Sequence, residues 1–148
     1  NRGYYYIPHV VKKIEGRDSL DSRFYEKHYT KVEPRYFDPI IKGMYGTVQG
    51  PSGTARNAYV AGLDICGKTG TAQNPHGRDH STFLAFAPRN DPKIAISVYV
   101  ENGGFGATVA APIASLLIEQ YLTGKVERQA LVEYIKDMKI YYPAYADR

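Results

Sequence analysis

The sequence is organised around one short run of small and polar residues, Gly67-Lys68-Thr69-Gly70-Thr71-Ala72-Gln73. Its two glycines carry no side chain that would keep a ligand away from the backbone. Lys68 offers a positive charge. The hydroxyls of Thr69 and Thr71 lie on one side if the run is a strand, because alternate strand residues face the same way. A carboxylate is the ligand that suits this combination best.

The same run completes a second pattern. Residues 62–69 read Gly-Leu-Asp-Ile-Cys-Gly-Lys-Thr and match the phosphate loop of nucleotide-binding proteins at every fixed position. A phosphate loop requires a helix that begins at the Lys-Thr pair, so that free backbone amides face the phosphates. Residues 70–77 contain two glycines and a proline, which cannot form a helix interior. We therefore reject a nucleotide site.

Lys-Thr-Gly is one of the short motifs of penicillin-binding proteins and serine β-lactamases, together with Ser-x-x-Lys and a Ser-x-Asn type motif. Further matching segments follow it in order: His80, Phe83–Pro88, Lys93–Gly104 and Ala110–Ile113. The series closely resembles the C-terminal half of the transpeptidase domain in class B penicillin-binding proteins, especially the penicillin-binding protein 2 group. The resemblance covers residues 4–123 and is densest between residues 53 and 121.

This resemblance implies an α/β (α+β) fold, part of the penicillin-binding transpeptidase or serine β-lactamase-like architecture, with an antiparallel sheet packed by helices. It implies a peptidoglycan D,D-transpeptidase that cross-links stem peptides through a serine acyl-enzyme and binds β-lactams. By matching position, Lys68, Thr69, Gly70 and Thr71 would bind the substrate. The threonine hydroxyls would hold its terminal carboxylate, and the Thr71 amide would donate to the oxyanion. No cofactor is implied.

The two serine-containing motifs are absent from these 148 residues. None of the serines begins Ser-x-x-Lys or Ser-x-Asn; they are Ser19, Ser22, Ser52, Ser81, Ser97 and Ser115. We therefore expect no catalytic nucleophile here, and we predict that the chain alone is inactive and is not acylated by penicillin. Thr82 stands where many relatives have Trp, so the sequence does not determine the local shape of the cleft.

Length, composition and charge limit the other classes of protein to which this chain could belong. A chain of 148 residues with 43% hydrophobic residues suits one globular domain. The net charge of 19 − 15 = +4, without a long basic run, argues against nucleic-acid binding. The single cysteine, Cys66, excludes an internal disulfide and is interpreted as a small buried residue. Four scattered histidines show no metal-ligand spacing, so no metal is predicted.

The start of the chain bears on its origin. It opens at Asn1 without a methionine or a signal peptide, and no segment reaches the roughly 18 consecutive apolar residues of a membrane span. We expect residues 1–148 to be the C-terminal portion of one transpeptidase domain, with residues 125–148 as a helical tail. The resemblance implies a place on the periplasmic side of the bacterial inner membrane, anchored by an N-terminal helix outside these residues, among cell-wall elongation proteins.

Hydrophobic periodicity predicts the elements. Strands are expected at residues 4–14, around 24–25 and 30–32, and in a hairpin at 81–87 and 94–101, the last buried on both faces. Helices are expected after an Asp38 cap, at 107–122 and at 126–138. The family resemblance further implies a turn at 53–55 followed by a short helix, and an edge strand of the active-site sheet at 67–73. In the helix at 107–122, the apolar stripe predicted to face inward is Ala110, Ala114, Leu117 and Tyr121, beside Ile113 and Leu116. Tyr29, Tyr36 and Phe37 are expected to cover the domain, and residues 141–145 to pack loosely.

Two questions stay open at this level. The alternative function is a non-catalytic peptide-binding or assembly module, or a fragment of a β-lactam sensor, built on the same fold. His80 could carry protons, although a structural role is the commoner one for a histidine at the start of a strand.

If strands are missing, a free edge at residues 94–100 predicts self-association of the chain.

Overall fold

The computed structural model describes residues 1–140, which fall into two compact units, residues 1–40 and the residues from 41 onward. The strands are β1 (Tyr4–Tyr5), β2 (His28–Tyr29), β3 (Cys66–Ala72), β4 (His80–Ala87) and β5 (Ile94–Val100). The helices are α1 (Phe37–Gln49), α2 (Ala110–Thr123) and α3 (Gln129–Lys136), with 3-10 turns at Ser22–Phe24, Pro34–Tyr36 and Arg56–Ala58. Across residues 1–140, no helix is long and apolar enough to cross a membrane. The loose tail predicted at 141–145 lies outside the described residues.

The first unit contains little regular structure. β1 and β2 pair over two residues each, so the strand predicted at 4–14 is wrong beyond its start. Phe24 lies in a 3-10 turn, and residues 30–32 are not a strand. Tyr29 and Tyr36 are 73% and 55% exposed, so they do not cover a core. The two-stranded ribbon of β1 and β2 offers these rings too little sheet surface to pack against.

The second unit is built on an antiparallel sheet with the strand order β3-β4-β5. β4 and β5 form the predicted hairpin, and β3 lies at the edge, as predicted. Directly paired residues project from the same face of an antiparallel sheet. Thr69 pairs with Phe83, and Lys68 pairs with Leu84, so these two pairs lie on opposite faces.

The face that carries Phe83 is the core of this unit, because α2 packs on it across β4 and β5. Phe83, Ile118 of α2 and Ile65 just before β3 are fully buried. Small α2 residues allow the helix to come close to the strands: Ala110, Ala111, Ala114 and Ser115. Full burial of one such large apolar side chain contributes roughly 1.5–3 kcal/mol, so this face stabilises the sheet.

α2 buries only part of the predicted stripe. Ala110 and Ala114 are buried as predicted, but Leu117 and Tyr121 are 50% and 63% exposed. Ser115, Ile118 and Glu119 are buried in their place. Periodicity identifies an apolar stripe, but small residues decide which side of a helix can approach a sheet closely. The inward direction predicted for Leu117 and Tyr121 is therefore wrong.

The bounds of α2 follow from its proline and its terminal glycine. The helix begins at Ala110 and not at the predicted Ala107, which places Pro112 in the first turn, where no amide donor is missed. Gly124 ends the helix in the left-handed region, with φ of 78°. Its position beyond the helix end was predicted correctly.

β5 is buried on one face only. Ala95, Ser97 and Tyr99 are exposed, while the alternating residues Ile96 and Val98 are half-buried against the α2 side. The prediction of burial on both faces is wrong because, among residues 41–140, helix α2 covers only one side of this strand. An apolar run alone does not distinguish these two situations.

α1 begins one residue before the predicted cap. Asp38 therefore lies in the first turn, and its carboxylate accepts a hydrogen bond from Arg2 Nε at 2.9 Å instead of capping the helix. Within α1, Val48 is buried and Ile40 is 63% exposed. The 3-10 turn at Arg56–Ala58 confirms the short helical element predicted after residues 53–55.

α3 is shorter than predicted and is joined to α2 by a buried carboxylate. Glu119 is 4% exposed, and its Oε2 accepts from Arg128 Nε at 2.8 Å. Its Oε1 accepts from the backbone amide of Glu127 at 3.0 Å. Arg128 also donates to Ser115 Oγ at 3.1 Å. The carboxylate is thus paired and hydrogen-bonded, as a buried charge must be.

Candidate functional site

β3 presents the Lys-Thr-Gly-Thr run on the open side of the sheet. Among residues 41–140, only β4 pairs with it, so its other edge is free for a ligand. A free edge offers backbone N–H and C=O groups to any extended chain that lies beside it. This is the geometry that recognition of an extended peptide requires.

Thr69 and Thr71 project from the same face of β3, since they pair with Phe83 and Ser81 on the α2 side. Thr71 is exposed, and Thr69 is half-buried. The two hydroxyls therefore share one side of the strand, as strand alternation predicts. Both are potential donors to a negatively charged group.

Lys68 projects from the opposite face, beside Leu84. It is exposed, and its Nζ donates to the backbone carbonyl of Thr69 at 2.6 Å. None of the salt bridges formed by residues 1–140 includes Lys68. Its charge is therefore not neutralised by a carboxylate of the described chain.

The two glycines of the run are required by packing as well as by ligand access. A Cβ on Gly67 would overlap the buried ring of Phe83, and a Cβ on Gly70 would overlap the hydroxyl of Thr82. Sequence reasoning attributed these glycines to the approach of a ligand. The structure adds that their partners within the sheet also exclude a side chain.

A loop after β5 supports β3 from the α2 side; we call residues 101–109 the glycine loop. A Cβ on its Gly106 would lie 2.5 Å from the Gly70 carbonyl oxygen and 3.0 Å from the Gly70 amide nitrogen. Gly106 therefore rests directly on the backbone at the centre of the Lys-Thr-Gly-Thr run. The sequence shows the glycines at 103, 104 and 106 but not the strand that they contact.

Ser81 fixes the far end of this loop. Its hydroxyl donates to the Phe105 carbonyl at 3.0 Å and accepts from the Ala110 amide at 3.1 Å, where α2 begins. Asn57 Nδ2 donates to the Ala107 carbonyl at 3.1 Å. These polar contacts were not predictable from the sequence, because their members are separated by 24, 29 and 50 positions.

Two of the four histidines belong to the second unit. His80 begins β4 opposite Ala72, and its Nδ1 lies 3.0 Å from the backbone nitrogen of Asn102. His76 is exposed in the connection between β3 and β4. Residues 1–140 contain no group of three His, Cys, Asp or Glu side chains arranged to hold a metal ion.

Cys66 is fully buried at the start of β3 and is a free thiol. Burial raises the pKa of this thiol from 9.0 to about 11; Arg89 opposes the shift and Asp64 adds to it. A thiol with so high a pKa is a poor nucleophile near neutral pH. The interpretation of Cys66 as a buried core residue is confirmed.

The phosphate-loop pattern is excluded by geometry. Lys68 and Thr69 lie in the middle of a strand, and both are flanked by paired β3 residues. No helix begins at this position to direct free amides toward a phosphate. The rejection of a nucleotide site on sequence context is therefore correct.

Comparison with known proteins connects this geometry to one family. The model of the penicillin binding protein transpeptidase domain matches residues 1–119. The Peptidoglycan D,D-transpeptidase MrdA of Haemophilus influenzae is 31% identical over 144 residues, which cover 85% of this chain and 22% of that protein. The chain thus spans less than a quarter of the length of this curated relative.

Solved structures agree with the family match. Pseudomonas aeruginosa PBP2, in complex with WCK 5153, is 38% identical with a TM-score of 0.67 and covers 87% of this chain and 29% of its own. Penicillin-binding protein A from M. tuberculosis, in its penicillin G acyl-enzyme complex, is 30% identical with a TM-score of 0.62, covering 83% and 29%. Helicobacter pylori PBP2, in complex with MreC, is 28% identical with a TM-score of 0.55, covering 64% and 18%.

Proposed function

Because this chain belongs to the penicillin-binding protein transpeptidase domain family, we propose that β3 forms the substrate-binding wall of a peptidoglycan D,D-transpeptidase. The observation that carries this proposal is the free edge of β3, along which Lys68 and Thr71 are exposed. A stem peptide is an extended chain with a terminal carboxylate. It would add to this edge through main-chain hydrogen bonds.

Each residue of the run has a chemical task in this proposal. Lys68 attracts the negatively charged peptide, and Thr69 and Thr71 donate hydroxyl hydrogen bonds to its carboxylate. Gly70 keeps the backbone accessible between the two threonines. The Thr71 amide donates to the oxyanion that forms during acyl transfer, and one such donor contributes about 2.7–4 kcal/mol to transition-state stabilisation.

The nucleophile in this scheme is a serine outside these 148 residues. Its hydroxyl oxygen forms an ester with the penultimate D-Ala carbonyl while the bond to the terminal D-Ala breaks, and the leaving amine takes up a proton. The amine of a second stem peptide then attacks the ester, forms the cross-link and returns a proton to the serine. A β-lactam would acylate the same serine through its ring amide and remain attached.

The same family membership supports a proposal for the setting of the protein. We propose that residues 1–148 are the C-terminal portion of one transpeptidase domain, and that the protein acts on the periplasmic side of the inner membrane, where an N-terminal helix anchors it. Helicobacter pylori PBP2 forms a complex with MreC, which supports a role for this protein beside cell-wall elongation proteins. We also propose that the isolated chain self-associates through its free strand edges.

The test uses a longer protein that carries these residues together with a Ser-x-x-Lys motif. Thr71→Val removes one donor to the carboxylate and should slow acylation by a fluorescent penicillin about 10- to 100-fold, since a hydrogen bond to a charged group contributes roughly 1.5–3 kcal/mol. Thr54→Val, at an exposed turn position, is the matched control and should leave the rate unchanged. An equal acylation rate in the unchanged protein and in both variants would refute the proposal that β3 binds the substrate.

Sequencing the coding region upstream of Asn1 tests the enzyme assignment independently. Ser-x-x-Lys followed by Ser-x-Asn would support the transpeptidase. A start codon immediately before Asn1, with neither motif, would instead identify a peptide-binding or assembly module. The two outcomes separate the enzyme from the non-catalytic alternative.

A further inference from the structure

His80 is held in one orientation at the start of β4. It pairs with Ala72, the last residue of β3, and its ring lies 5.3 Å from the ring of Tyr99. Its Nδ1 is 3.0 Å from the backbone nitrogen of Asn102. A backbone N–H can only donate, so Nδ1 is the acceptor and the neutral ring carries its proton on Nε2.

Asn102 is the point at which three segments meet. It adopts φ of 56°, in the left-handed region, and is 7% exposed. Its amide donates to His80, and its Oδ1 accepts from Asn74 Nδ2 at 2.8 Å. Asn102 therefore connects the glycine loop to the start of β4 and to the segment that follows β3. Asparagine adopts the left-handed region more readily than other non-glycine residues, and these contacts fix Asn102 in it.

The glycine loop connects the position of Asn102 to that of β3. Beyond Asn102, the Gly104 amide donates to the Asp79 carbonyl at 2.7 Å, and Gly106 rests on the backbone of Gly70. Only three residues separate Asn102 from Gly106. A shift of Asn102 therefore moves the support under the centre of the Lys-Thr-Gly-Thr run.

We propose that His80 is a positioning residue for the carboxylate-binding strand: by accepting the Asn102 amide at Nδ1, it fixes the glycine loop against Gly70. This inference rests on the proposed function of β3. His80 acts through Asn102 and Gly106 and does not touch the substrate. A proton-carrier role for Nδ1 conflicts with this hydrogen bond, because a protonated Nδ1 cannot accept the Asn102 amide.

The decisive variants differ in where they place an acceptor. His80→Asn places a side-chain oxygen at the δ position, where Nδ1 now lies. His80→Gln moves the amide one bond further out, and His80→Leu removes the acceptor. His76→Asn is the control, because His76 is exposed and its side chain has no part in these contacts.

The first measurement is made on the 148-residue chain by NMR. The imidazole nitrogen shifts of His80 should identify the Nε2–H tautomer. Hydrogen exchange of the Asn102 amide, and the amide shifts of Gly106 and Gly70, should stay native-like in His80→Asn and change together in His80→Gln and His80→Leu. An Nδ1–H tautomer, or an Asn102 amide equally protected in all variants, would overturn the inference.

The second measurement follows penicillin acylation in the longer protein. His80→Leu and His80→Gln should lose about tenfold or more in acylation rate, because small displacements of a binding group can cost up to about 100-fold. His80→Asn should restore the rate to within about threefold of the unchanged protein, a difference of less than 1 kcal/mol. Equal losses in His80→Asn and His80→Leu would also overturn the inference. Absence of acylation in the unchanged protein would refute the proposed function instead, and the NMR data would then decide whether His80 fixes the loop.

Discussion

The hydroxyl of Thr82 occupies the space in which a Cβ on Gly70 would lie, across the pair formed by β3 and β4. Gly70 is enclosed from its other side by Gly106, which rests on its backbone. The centre of the proposed binding strand is therefore held between a neighbouring side chain and a neighbouring loop. Its position depends on how little volume residue 70 occupies.

Gly70→Ala should destabilise the chain because the added methyl group would overlap the Thr82 hydroxyl. We expect the free energy of unfolding to fall by about 1–3 kcal/mol, as for other overpacked sites. Urea denaturation measures this loss. The double variant Gly70→Ala with Thr82→Ala removes the opposing hydroxyl and should recover part of it. A single variant as stable as the original would contradict the packing described for this pair.

The isolated chain should not react covalently with penicillin, because none of its serines belongs to a Ser-x-x-Lys motif. Intact-mass spectrometry after incubation with penicillin G measures the result directly, and the expected mass is unchanged. A stoichiometric adduct on any serine would show that a nucleophile exists within these 148 residues. The longer protein with the motif is the positive control.

The buried Cys66 thiol should make stability depend on pH in the alkaline range. Its pKa is raised from 9.0 to about 11, so the native state retains the thiol proton at pH values where the unfolded chain releases it. The resulting stabilisation is complete below pH 9 and is lost as the pH rises through about 11. Unfolding free energies of the unchanged chain should fall more steeply over this range than those of Cys66→Ala. If the unfolding free energies of the two proteins fell in parallel with rising pH, the raised pKa of Cys66 would be contradicted.

The buried pair between Glu119 and Arg128 should contribute more to stability than an exposed pair. Glu119→Gln leaves Arg128 without its charged partner and should lower the free energy of unfolding by about 1–3 kcal/mol, less than for a fully buried pair because Arg128 is partly exposed. Glu133→Gln breaks an exposed pair with Lys136 and should cost below about 0.5 kcal/mol. Thermal unfolding compares the two variants. Equal losses would show that burial does not distinguish them.

The free edge of β5 should allow two copies of the isolated chain to pair. The exposed residues Ala95, Ser97 and Tyr99 leave one face and one edge of this strand uncovered by the described residues. Sedimentation velocity over a concentration series should show association, and Ser97→Lys should reduce it, since charges on edge strands oppose pairing. A strict monomer at high concentration would count against this route.

The hairpin of β4 and β5 was predictable because both strands combine β-branched and aromatic residues with a clear turn signal between them. β3 contains two glycines and no aromatic residue, and its edge position was expected from the family resemblance. The inward face of α2 was not predictable in the same way. Leu117 is more apolar than Ser115, yet Ser115 is buried, because the close approach of helix and sheet admits only small side chains there.

The candidate site was predictable in part. The residues of the Lys-Thr-Gly-Thr run were identified from composition and motif, but the supports behind them were not. Asn102 and Gly106 contact His80 and Gly70 over separations of 22 and 36 positions, and no local pattern encodes such contacts. The first 40 residues show the opposite error: their aromatic residues suggested long strands, but within that unit the strands pair only over two residues each.

The hydroxyl of Ser81 has a consequence for how the chain folds. α2 has no capping side chain of its own, and the Ala110 amide at its start donates to Ser81, which lies 29 positions earlier in β4. The first turn of α2 therefore becomes complete only when the strand is already in place. Closing so long a loop costs conformational entropy before the contact returns any stabilisation. α2 should consequently reach its full stability only together with the sheet, because the contact at its first turn depends on β4.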